Sequence, residues 1–124
     1  MTQPALPDAR RLAETLLSPR HHGLFDTITR RALTEEDGDA WAANFIRSCP
    51  ASHGERLLIQ LAYSLWRGYG PAIRVDQIQG VEEDVAARLL AGLALAAVGP
   101  AAKSALQRAS ALCAVPTPDQ AGTP

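Results

Sequence analysis

Cys49 and His53 lie four residues apart, and the adjacent pair His21-His22 stands elsewhere in the chain. Together they are one thiol and three imidazoles, a ligand set from which a zinc site can be drawn. Structural zinc sites, however, use two tight ligand pairs at recognised spacings. Here Pro50 bends the chain between Cys49 and His53, and His53 falls in the first turn of an expected helix. The reading is a small buried thiol with solvated histidines, and no metal.

Catalysis needs a nucleophile, a base and a group that orients the base. Cys49 with His53 is the candidate pair, and neither a third group nor a Gly-rich oxyanion loop accompanies it. The carboxylates of Glu35–Asp39 and Glu82–Asp84 read as solvated helix starts. The run Glu-Glu-Asp-Gly-Asp lacks the alternating ligands and distal Glu of a calcium loop. A phosphate-binding Gly-Lys-Ser/Thr motif and a dinucleotide fingerprint are both missing. The expectation is a non-enzyme without a cofactor, with a thiol- or metal-dependent enzyme as the remotest alternative.

Charge is uneven along the chain. Between Asp8 and Arg31 stand five arginines and two histidines against three acids, although the whole chain carries −1. Arg20, His21, His22, Arg30 and Arg31 form the candidate partner-binding rim. Arg30 and Arg31 also sit where a second helix would end, and cations favour that position in any protein. The rim suits an acidic surface of another protein first and a phosphate backbone second. Eleven of twelve cations are arginine, which suits bidentate contacts to carboxylate or phosphate.

The segment Arg74–Leu90, with a short stretch ending in Gly80-Val81 before Arg88-Leu-Leu, resembles the DNA-binding half of winged-helix regulators. The resemblance implies a helix-turn-helix factor contacting nucleic acid as part of a nucleoprotein assembly. The would-be recognition helix begins with three acids and offers only Arg88, whereas base and phosphate contacts need donors. The overall charge argues the same way.

These residues must be positioned by helices. Alanine and leucine supply 39 residues and valine and isoleucine only 10, a balance that favours helix. Ser52 with Glu55 is a capping box, and the uncharged run Leu57–Trp66 ends at Gly68. A helix apolar nearly all round must be enclosed by protein. The stretch 53–68 is therefore the expected central post of an all-α bundle of five to six helices.

Asp8 caps a first helix with Ala9, Leu12, Ala13, Leu16 and Leu17 inward, and Ser18-Pro19 ends it. A loop, Arg20–Gly23, leads to a second helix from Leu24. Gly38 interrupts a further start, and a third helix runs Asp39–Ser48 on Trp41, Ala42, Phe45 and Ile46. Residues 69–80 are the hardest to read, with one helical turn at Asp76–Gln79. A long helix over 81–98 would bury Val85, Leu89, Leu93 and Ala97, flanked by Leu90. Pro100 starts a last helix to about Ala114.

One domain thus covers 1–115, and 116–124, without apolar residues of size, is expected to be disordered. The longest near-apolar stretch, Leu89–Ala102, is 14 residues, short of the ~20 a membrane span needs. A signal-type N-terminus and a cysteine framework are both missing, so a cytoplasmic protein off the membrane is expected.

The frame SHGERLLIQLAYSLWRG, a Gly-rich link and an aliphatic helix, covers 52 to about 98. It resembles small uncharacterised helical proteins of high-GC actinobacterial and phage genomes. The resemblance implies the helical fold and no activity. The overall expectation is a small binding or adaptor protein, a subunit of a larger assembly.

Overall fold

The computed structural model describes residues 8–69 and 73–114. These form an all-α bundle, with no strand among the described residues. The helices are α1 (Ala9–Leu16), α2 (His22–Thr34), α3 (Gly38–Ser48), α4 (His53–Arg67), α5 (Val75–Ile78), α6 (Glu83–Val98) and α7 (Ala102–Leu112). Short 3₁₀ turns precede α2, at Pro19–His21, and α7, at Gly99–Ala101. The expected tail, 116–124, lies outside the described residues.

The predicted N-caps Asp8 and Ser52 form, and Asp37 is a third that the sequence reading does not assign. Asp8 accepts the Arg10 N–H at 2.8 Å, Asp37 accepts that of Ala40 at 3.3 Å, and Ser52 accepts that of Glu55 at 3.2 Å. Gly68 ends α4 in the left-handed region, φ 82°, where a side chain is disfavoured. The helix between these signals is the central post. It buries Leu57, Leu58, Ile59, Leu61, Ala62 and Tyr63 and touches α1, α2, α3, α5 and α6. Leu12, Leu16, Phe25, Ile28 and Ile59 are the largest fully enclosed side chains. Ser52→Ala should therefore cost ~1 kcal/mol in urea titrations, and Ser110→Ala, on the exposed side of α7, close to nothing.

Four local expectations are corrected. The stretch Arg20–Gly23 is helical: Pro19, with its preset φ, starts a 3₁₀ turn that runs into α2 at His22. Gly38 opens α3 and does not interrupt it. It is the point of closest approach to α2, where a Cβ would lie 1.8 Å from the Ala32 carbonyl oxygen. The helical turn near residue 76 begins one residue early, at Val75, because the Gln77 side chain accepts the Arg74 N–H at 2.8 Å.

The fourth correction concerns α6. Its buried residues are Val85, Leu89 and Gly92, while Leu93 is 52% exposed and Ala97 is also exposed. Residues four apart drift about 40° around a helix at each step, so an 85-89-93-97 row leaves the core face. The 85-89-92 row stays on it. Gly92 meets α1 so closely that a Cβ there would fall 2.5 Å from a Leu16 methyl.

Candidate functional site

The five rim residues do not assemble into one surface. Arg20 and His21 lie before α2, while Arg30 and Arg31 lie eight and nine positions past His22, about 12–14 Å along the helix. Each cation has an acid. Arg20 Nη2 sits 2.6 Å from Glu55 Oε1, Arg30 pairs with Asp26 at 3.1 Å, and Arg31 pairs with Glu35 at 2.9 Å. Arg31 also lies over the Trp41 ring, 4.6 Å from its centroid. His22 donates from Nε2 to the Leu17 carbonyl at 3.1 Å.

Glu55 is thus drawn away from half of its capping role. Its carboxylate receives Arg20 and the Ser52 hydroxyl, and His21 Nδ1 stands 2.8 Å from Oε2. Ser18 Oγ is 3.2 Å from that same Nδ1. A Ser-His-acid relay needs the hydroxyl and the carboxylate on opposite ring nitrogens. Here both face one nitrogen, so the trio ties the α1–α2 corner to α4 without forming a relay.

Cys49 and His53 also part company. Cys49 is buried, its thiol donating to the Ile46 carbonyl, while His53 donates from Nε2 to the Gln77 carbonyl at 3.0 Å. Three or more His, Cys, Asp or Glu side chains do not converge on a metal-sized site among the described residues.

Asp39, read from sequence as a solvated helix start, is the hub of a network. It accepts the phenol of Tyr63, that of Tyr69 at 2.7 Å and Arg67 Nε at 2.9 Å. Arg67 Nη2 reaches on to the Ala32 carbonyl at 3.2 Å, so one guanidinium spans the ends of α2, α3 and α4. The tyrosine bonds, with Arg67 beside them, hold the Asp39 carboxyl below its ordinary range. Burial, with the Asp39 bond, pushes the Tyr63 phenol up to about 12.

Beside this network runs a groove of about 460 Å³ between α3, α4 and α5. From α3 come Asp39, Ala43, Ile46 and Arg47, one face of that helix. From α4 come His53, Arg56, Leu57, Gln60 and Tyr63, again one face. Arg74 and Gln77 close the end. The floor is apolar, with Ile46 and Leu57 buried, and the walls are cationic.

Seven described arginines have a carboxylate within 4.0 Å: Arg10, Arg20, Arg30, Arg31, Arg67, Arg74 and Arg88. Arg11, Arg47, Arg56 and Arg108 have none among the described residues, and two of these four, Arg47 and Arg56, line the groove. Arg56 is held by Nε and Nη2 on the Cys49 carbonyl, at 3.3 and 2.9 Å, and Arg47 donates from Nη1 to Asn44 Oδ1, at 3.3 Å. Part of their role is to complete the C-terminal end of α3. A guanidinium has five N–H donors, so both retain several for a ligand. Such a pair above an apolar floor suits carboxylate or phosphate recognition. Tyr63 in the wall is a neutral donor, and Asp39 is committed to its own partners, so neither serves as a base.

Sequence reasoning passed over Arg47 and Arg56. The available signal was their place off the apolar stripes of α3 and α4, next to the Cys49-Pro50 corner that brings those helices together.

In the 74–90 segment, α5 is a single turn, and Arg88 is drawn back to Asp84 at 3.1 Å, with Nη1 near the Leu16 carbonyl. Arg88 is thus held against its own bundle. Comparison of the chain with protein-family models, with curated proteins and with solved structures gives no match.

Proposed function

We propose that this chain is a non-catalytic binding protein that holds an acidic segment of a partner protein in the α3–α4–α5 groove. The observation that carries this reading is the presence of Arg47 and Arg56, two guanidiniums without a carboxylate partner among the described residues, along one groove. The apolar floor of Ile46 and Leu57 favours a peptide that alternates acids with aliphatic side chains over a bare phosphate backbone. The overall charge of −1 and the acids at the start of α6 also oppose a nucleic-acid partner. The arginine rim ranks second, because a ligand there must displace Glu55, Asp26 or Glu35 from its cation.

The test is fluorescence anisotropy with a labelled Asp/Leu-alternating peptide. Arg47→Glu combined with Arg56→Gln should weaken binding ~100-fold or more, with folding checked by thermal melting. Arg30→Glu combined with Arg31→Glu should change it by less than ~3-fold. Binding that survives the groove changes and fails on the rim changes would move the site to the rim. A labelled DNA duplex that binds more tightly than the peptide, with a steep salt dependence, would replace the protein partner with a nucleic acid.

A further inference from the structure

The outer face of α6 carries an apolar stripe that its own bundle leaves open. Leu90 is 54% and Leu93 52% exposed, with Ala86 half-buried and Ala97 exposed along the same line. The spacing 86, 90, 93, 97 alternates four and three residues, the seam of a helix that pairs with another helix. That seam is symmetric about its centre. An antiparallel copy sets Leu90 against Leu93 and Ala86 against Ala97, each contact made twice, as a two-fold interface requires.

Charge agrees with that direction. Glu82, Glu83 and Asp84 open α6, and no charged residue follows Arg88 until Lys103, just past the other end. Antiparallel pairing brings the acidic end of one copy to the Lys103 end of the other, while parallel pairing stacks acid on acid.

We propose that the α6 stripe is the interface of an antiparallel homodimer, separate from the α3–α4–α5 groove. The stretch Glu83–Leu112 is also apolar enough by composition to cross a membrane, with a mean hydropathy of 1.7 in its most apolar window. The fold speaks against that occupant. Gly99, at φ 55°, breaks the stretch into legs of about 24 and 17 Å, against a hydrocarbon core of about 30 Å. The Val85, Leu89 and Gly92 face is already taken by the bundle, with Gly92 on Leu16 of α1, leaving one open face rather than a whole cylinder. One helix seam is smaller than the ~800 Å² per partner of a tight interface, so the dimer forms at roughly micromolar concentration.

Sedimentation velocity of the full chain from about 1 μM to 1 mM should show monomer passing to dimer. Leu93→Glu should raise the dissociation constant ~100-fold, while the melting temperature of the dilute monomer stays put, because position 93 is half open. In a Cys113→Ser background, mixed Ala86→Cys and Ala97→Cys chains should form 86–97 disulfides, and Ala86→Cys alone should not cross-link. Four results would overturn the proposal: a monomer throughout, a dimer indifferent to Leu93→Glu, 86–86 cross-links, or a monomer that floats with phosphatidylcholine vesicles.

Discussion

Gly38→Ala should lower the unfolding free energy by ~3 kcal/mol or more, although it adds one methyl at the start of a helix where alanine is otherwise favoured. The cause is the α2–α3 corner. A Cβ at 38 would stand 1.8 Å from the Ala32 carbonyl oxygen and 2.8 Å from its carbon. Both are backbone atoms of the last turns of α2, so no rotamer change relieves the overlap and the two helices must move apart. The Ala32 carbonyl is also the acceptor of Arg67 Nη2, so separation strains the link to α4 as well. Gly23→Ala is the control. Nothing lies within 4 Å of its added methyl, and it should be neutral or stabilising by up to ~1 kcal/mol. Equal midpoints in urea for the two variants would mean that α2 and α3 do not meet at Gly38.

Asp39→Ala should cost ~2 kcal/mol at neutral pH, remove the pH dependence on the acid side and lessen, without removing, the one on the alkaline side, which burial of Tyr63 chiefly causes. Its carboxylate serves Tyr63, Tyr69 and Arg67 together, and the Arg67 side chain is only 20% exposed. Without Asp39 that guanidinium keeps the Ala32 carbonyl and loses its counter-charge. The Asp39 carboxyl titrates below its ordinary value when folded, so its contribution is complete above that ordinary value. It is lost as pH falls toward the folded value.

Tyr63 behaves in the opposite sense. Its phenol is pushed from 10.0 to about 12, so its contribution is complete below 10.0 and fades as pH rises toward 12. Stability in urea should therefore be flat across neutral pH and fall at both extremes. An ultraviolet tyrosinate titration of the native protein should show both phenols ionising above the ordinary range. In Asp39→Ala the exposed Tyr69 should return to it, since that bond is the chief cause of its rise. Unshifted phenols in the native protein would dissolve the network.

Much of the fold was legible because its signals are local. An N-cap and its acceptor lie within three residues, as Ser52 and Glu55 do, and a stripe repeats within each turn. Composition, caps and the uncharged run after Leu57 were thus enough to determine an all-α bundle around α4. The long-range pairs had no such signature. Arg20 finds Glu55 across 35 residues and Arg67 finds Asp39 across 28, distances at which only packing decides who meets whom.

The same limit explains the rim. Sequence counted the five arginines and two histidines between Asp8 and Arg31 against acids nearby in the chain, and Glu55, which neutralises Arg20, was not among them. It explains α6, whose apolar residues run almost all round, so that Gly92 fitting under Leu16 chose the buried face. It explains the groove too. Arg47 and Arg56 stand nine positions apart on two helices, and they line one groove only because the chain turns at Cys49-Pro50 between α3 and α4. Propensity and periodicity act within a few residues of the chain, whereas charge pairing and cavity shape are properties of surfaces that exist only after helices dock.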